Sequence, residues 1–101
     1  MPTTDLRVSD LRTAMTRLLD AIEEQFGAIV HLEDDLYWNV PLSAATAVYD
    51  TPELDMGSVV DDAASVGEFL GRPDEPVFIW HEAEHLAGIL RSIARLDLPP
   101  A

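Results

Sequence analysis

The stretch Glu33-Asp34-Asp35-Leu36-Tyr37-Trp38-Asn39-Val40-Pro41 constrains the fold of this chain more than any other. Leu36, Trp38 and Val40 alternate with Tyr37 and Asn39, the period of two of an extended segment with one buried face. Pro41 ends the segment because it has no N–H to give to a ladder. Just upstream, Ala28-Ile29-Val30-His31-Leu32 is aliphatic and β-branched and follows Gly27, so it is predicted as a strand leading in. Strands at 28–33 and 36–40 can then pair as a hairpin with Asp34-Asp35 at the turn. A lone hairpin is marginal in water, so helices must cover it, with Trp38 and Phe26 in the core. His31 stands isolated, and no role is assigned to it.

Helical patterns lie on both sides. From about Thr4 to Phe26, Val8, Leu11, Met15, Leu18, Leu19, Ile22 and Phe26 recur at three- and four-residue steps on one face. Thr3 or Thr4 is placed to cap its start, and Gly27 sits where a left-handed C-cap residue belongs. Residues 43–49 are alanine-rich and suit a short helical turn. Ser58 with Asp61 resembles a capping box in which Asp replaces Glu or Gln. A second helix follows to about Leu70, burying Val59, Ala63, Val66 and Leu70, with Gly71 closing it. The last helix is predicted to open at Pro76, with Asp74 and Glu75 at its positive end, and to bury Ile79, Ala83, Leu86, Leu90 and Ile93.

These elements predict an α+β, mostly helical fold: three helices packed on a short strand pair in one compact domain, residues 1–101, with frayed ends at 1–4 and 98–101. At 101 residues a hydrophobic core is attainable without disulfides, and the chain has no cysteine to form one. It therefore has no thiol nucleophile and no Cys-ligated zinc. No apolar run reaches the roughly 18 residues of a membrane span, and the N-terminus lacks a secretory pattern, so a cytoplasmic location is expected.

His81-Glu82-Ala83-Glu84-His85 matches H-E-x-x-H, in which two histidines one helical turn apart ligate zinc and the glutamate polarises water. A zinc-dependent hydrolase is the enzymatic reading of this chain. Against it, the predicted buried stripe lies within about 40° of Ile79, whereas His81 and His85 fall near ~200° and ~240°, toward water. No His or Glu follows His85 to supply a third ligand, and the upstream candidates, His31 and Glu68, carry no spacing that recommends them. His81 and His85 are thus only candidate metal ligands, and no cofactor is expected. Glu33, Asp34 and Asp35 lack the alternating ligands and glycine of a calcium loop and read as a solvated turn.

Taken together, Asp34-Asp35-Leu36-Tyr37-Trp38-Asn39-Val40-Pro41, Tyr49-Asp50, Gly57-Ser58-Val59-Val60-Asp61-Asp62 and Leu90-Arg91-Ser92-Ile93 resemble a group of small bacterial proteins. That group shows an acidic-Tyr-Trp-x-aliphatic-Pro segment, a downstream Tyr-Asp, a Gly-x-x-x-Asp-Asp helix start and a terminal Leu-Arg-x-Ile helix. The likeness runs over roughly residues 30 to 95, with Leu36 where a second aromatic is expected. It implies the fold and no activity, and the histidines at 81 and 85 are outside its pattern.

Charge supplies the functional expectation. Nineteen acidic residues face six arginines, a formal net charge of −13, which repels nucleic acid and anionic membrane and favours basic partners. The chain is read as a non-enzymatic protein of the immunity or antitoxin kind, or an accessory regulator, that binds a basic protein. The expected surface comprises Glu33, Asp34, Asp35, Tyr37, Asp50, Glu53, Asp55, Asp61 and Asp62, a run without any basic residue, with Tyr37 as an exposed aromatic. A DNA-mimic inhibitor is a further alternative, but it needs the acids gathered on one face. A homo-oligomer is compatible with all of these readings.

Overall fold

The computed structural model describes residues 3–39 and 55–98. The fold is α+β and mostly helical: among the described residues there are three helices, with a two-stranded antiparallel sheet. The chain divides into two compact units, Met1–His31 and Leu32–Ala101, and each is described by itself.

The first unit carries α1, Val8–Phe26. Arg7 is its N-cap and makes no side-chain capping bond, and Asp10 supplies the first-turn carboxylate. The predicted threonine cap is therefore not used, and Asp10 complements the helix dipole. Thr13 and Thr16 return their hydroxyls to the carbonyls of Ser9 and Arg12, which lets them sit within a helix. Gly27 closes α1 at φ 90°, donating its N–H to Glu23 O at 2.8 Å. Its ψ of −176° sends the chain out extended, not left-handed helical as expected, and this region is open only to glycine. Phe26, expected in the core, is half-buried.

Residues 28–33 do not form the predicted strand. The Trp38 segment finds another partner: β1, Leu36–Asn39, pairs antiparallel with β2, Asp55–Ser58. The register sets Leu36 against Ser58, Tyr37 against Gly57, and Trp38 against Met56. Leu36, Trp38 and Met56 therefore share one face of the sheet, and Tyr37 and Gly57 share the other. The alternation is as predicted but its polarity is reversed: Trp38 is 68 % exposed, while Tyr37 is half-buried. The expected helical turn at 43–49, like Val40 and Pro41, lies outside the described residues.

Helix α2, Val59–Leu70, follows β2 directly. Ser58 is its N-cap, its hydroxyl accepting from the Asp61 N–H at 3.3 Å. Further acceptors for this helix start come from Asp35, the residue before β1. Asp35 Oδ1 accepts from Ser58 Oγ at 2.9 Å and from the Val60 N–H at 2.8 Å, and Asp35 O accepts from the Val59 N–H at 2.8 Å. The Val60 N–H, then the Ser58 hydroxyl, hold the Asp35 carboxyl below its ordinary value of 3.8. Because the folded state binds that proton less tightly than the unfolded one, the contribution is present above about pH 3.8 and lost as the pH falls below it. Asp35→Asn is expected to lower the melting temperature at neutral pH and to flatten this acid limb. A variant with an unchanged acid limb would remove Asp35 from the cap.

Gly71 ends α2 at φ −76°, and a short turn follows in which Arg72 and Glu75 form an exposed ion pair at 3.7 Å. Helix α3, Ile79–Asp97, begins three residues later than predicted, with Phe78 as N-cap, so Glu82 and not Asp74 or Glu75 is its first-turn acid. Arg95 lies in the last turn, where the dipole favours a cation.

The helices of this unit meet through unexpected faces. Ile79, at 78 % exposure, Ala83 and Leu86 lie in solvent, as do Ala63 and Leu70 of α2. Only Val59 and Val66 of the predicted α2 stripe, and Leu90 and Ile93 of α3, are partly covered. Instead α3 turns inward the face that carries His81, His85, Gly88 and Ser92, of which Gly88 and Ser92 are buried. Two forces select this face. Gly88 and Ser92 are small enough for close approach, and His85 has a carboxylate waiting on α2. Among the described residues no apolar side chain is fully buried, and the buried polar ones are Asp62 and Ser92. The centre of the unit is hydrogen-bonded. No helix among the described residues is long and apolar enough to cross a membrane.

Candidate functional site

Three elements converge on Asp62, which is 5 % exposed. It projects from the first turns of α2, one residue past the capping residues, and so points toward β1 and α3 rather than along the helix axis. Tyr37 of β1 donates its hydroxyl to Asp62 Oδ2 at 2.5 Å, a length that suits a charge-assisted O–H···O bond. His85 of α3 meets Asp62 Oδ1 through Nδ1 at 2.7 Å. A carboxylate oxygen only accepts, so in this pair Nδ1 is the donor and Nε2 is the imidazole's other position. Burial, and then the bond and charge of Asp62, push the Tyr37 phenol above its ordinary value of 10, so it remains a donor.

Two glycines make room for Tyr37. A Cβ at Gly57, its cross-strand partner, would collide with the Tyr37 ring. A Cβ at Gly88 would collide with the Tyr37 hydroxyl and with Asp62 Oδ2. Beside this network lies a shallow polar recess lined by Met56, Ser58, Asp61, Glu84 and His85.

The histidines of the H-E-x-x-H motif are therefore not directed into water as predicted. Both are half-buried, and their rings stand edge to face, 4.6 Å between centroids at 81°. Trp80 packs edge-on against His81 at 5.4 Å. Glu82 is half-buried, its Oε2 is enclosed without a hydrogen-bond partner among the described residues, and it lines a recess together with His81, Glu68 and Phe69. An acid that orients a histidine through Nδ1 is a common support for a metal ligand or a general base. Yet among the described residues no group of three or more His, Cys, Asp or Glu could hold a metal ion. Nor is Ser58 free to act as a nucleophile beside His85: its oxygen is committed to Asp35 and to the Asp61 N–H.

The predicted partner surface comes apart in part. Glu33, Asp34 and Asp61 are exposed. Asp35 is also exposed, but its carboxylate is held in the α2 cap. Asp62 and Tyr37 are turned inward onto each other, so neither offers the free carboxylate or the exposed aromatic that was expected. Asp55 begins β2, and Asp50 and Glu53 lie outside the described residues.

The sequence carried a signal for the network that the apolar stripe obscured. His81, His85, Gly88 and Ser92 recur at steps of four, three and four, as Val59, Asp62, Val66 and Phe69 do at three, four and three. Each is a complete helix face, and one of them has an acid where the other has a histidine. No protein-family model, no curated protein and no solved structure matches this chain.

Proposed function

We propose that this chain is a non-enzymatic binding protein for a basic protein partner. One observation carries the reading: the outer face of the sheet leaves Leu36, Trp38 and Met56 exposed, closely following the exposed acids Glu33 and Asp34. A tryptophan held on a paired strand is a rigid anchor of the kind that dominates interface energies. Adjacent apolar residues with a charged border mark interaction surfaces more often than chance exposure does. The surrounding negative charge would draw a basic partner quickly and discriminate against acidic ones. The Tyr37–Asp62–His85 network serves this reading by fixing β1 to the helices, so that Trp38 is presented in one orientation.

The test is capture from the native host by immobilised chain, with mass spectrometry, followed by binding kinetics with the protein recovered. Wild type is expected to retain a basic protein. Trp38→Ala should weaken binding by roughly thirtyfold, a loss of about 2 kcal/mol. Since Trp38 is exposed, that variant should keep its stability to within about 0.5 kcal/mol. Asp34→Lys should slow association, as should added salt, because screening shortens the reach of the field from about 30 Å at 0.01 M to about 8 Å at physiological strength. A partner indifferent to both substitutions and to salt would refute the proposal.

A further inference from the structure

We propose that α1 is a homodimerisation helix that pairs antiparallel with α1 of a second copy of this chain. Val8, Leu11, Met15, Leu18, Ile22 and Gln25 follow one another at steps of three, four, three, four and three, the spacing of a coiled-coil seam. Leu19 and Phe26 widen the seam on one flank, and Ala14 and Ala21 form the other, small enough for two backbones to approach. No residue of α1 is buried, and Leu11, Met15 and Leu18 are 47 %, 38 % and 45 % exposed. A helix of this length is marginal alone in water, so its stability calls for a covered stripe.

The charge distribution selects the occupant and its direction. The N-terminal half holds Arg7, Arg12 and Arg17, with Asp10 the one acid of the first turn. The C-terminal half holds Asp20, Glu23 and Glu24, and its last turn has no basic residue. Head-to-tail pairing brings Arg7 and Arg12 of one copy within a turn of Glu24 and Glu23 of the other. Parallel pairing would set arginine on arginine and acid on acid, and would align the two macrodipoles. The antiparallel register also stacks complete layers: Val8 on Gln25, Leu11 on Ile22, and Met15 on Leu18, each occurring twice. A second copy of a chain at −13 is repelled by most of this molecule. Within α1, however, Arg12 and Arg17 and the carboxylates of Asp20, Glu23 and Glu24 lie toward opposite ends of the helix, and antiparallel pairing sets them against one another.

The experiment is sedimentation equilibrium on the intact chain at micromolar concentration, with helicity followed by circular dichroism. Wild type is expected to be a dimer. Leu18→Asp should raise the dissociation constant by at least ~100-fold, because each dimer loses two leucines from its central layers. Arg12→Glu, which keeps the seam, should weaken the dimer by roughly tenfold at low salt, and Glu23→Arg in the same chain should restore it. The chain contains no cysteine, so direction can be read by cross-linking. Leu11→Cys mixed with Ile22→Cys should form an intermolecular disulfide much faster than either variant alone. A monomeric wild type, a Leu18→Asp dimer of unchanged affinity, or faster self-linking of Leu11→Cys would each overturn the proposal.

Discussion

Replacing Gly88 by valine is expected to destabilise the Leu32–Ala101 unit by about 3 kcal/mol, the upper range for forcing extra carbons into a closed contact. A Cβ at this position meets the Tyr37 hydroxyl and an oxygen of the Asp62 carboxylate, neither of which can withdraw without breaking the bond between them. Gly67 in the middle of α2 is the control, since a Cβ there meets nothing within 4 Å. Gly67→Ala should therefore stabilise by about 0.5–1 kcal/mol through helix propensity alone. Denaturant unfolding of the two variants against wild type makes the comparison. If Gly88→Val unfolds at the wild-type midpoint, Tyr37 does not occupy the space between Gly57 and Gly88.

The same position shows how much of the molecule was legible beforehand. The class of fold, the Trp38 segment as a strand, the extent of α2 and the Ser58 cap follow from local rules: period, capping chemistry and breakers. Which side faces inward does not follow in the same way: of the apolar stripes expected inside α2 and α3, only Val59, Val66, Leu90 and Ile93 are partly covered. Trp38 and Ile79 are strongly apolar, and hydropathy assigned them to the interior, yet both are exposed. The interior is instead taken by residues that hydropathy ranks low, because a carboxylate, a phenol and an imidazole satisfy one another across three elements. Such complementarity is a property of pairs, and no single-residue scale records it. Partner strands are likewise non-local: β1 chose a segment across residues 40–54 over the nearer 28–33.

Asp62→Ala is expected to cost about 2–3 kcal/mol, because it removes the acceptor for two donors at once and leaves the Tyr37 hydroxyl and the His85 Nδ1 unpaired in a half-buried setting. Asp62→Asn should cost less, about 1 kcal/mol, since its carbonyl can still accept from one donor and its amide can face Nδ1 of the other histidine tautomer. The pH dependence separates a working network from simple packing. In the folded protein burial and the Asp62 carboxylate keep the Tyr37 phenol protonated above 10, whereas in the unfolded chain it ionises there. From about pH 10 upward the unfolded state therefore holds fewer protons, and stability must fall as the pH rises. Tyr37→Phe should remove this alkaline limb and lower stability at neutral pH through the lost hydrogen bond. Asp62→Asn should weaken the limb without abolishing it, because burial, the larger cause, remains while the carboxylate's bond and charge are gone. An alkaline limb of wild-type steepness in Asp62→Asn would show that Tyr37 does not titrate against Asp62. The two side chains would then be neighbours and not partners.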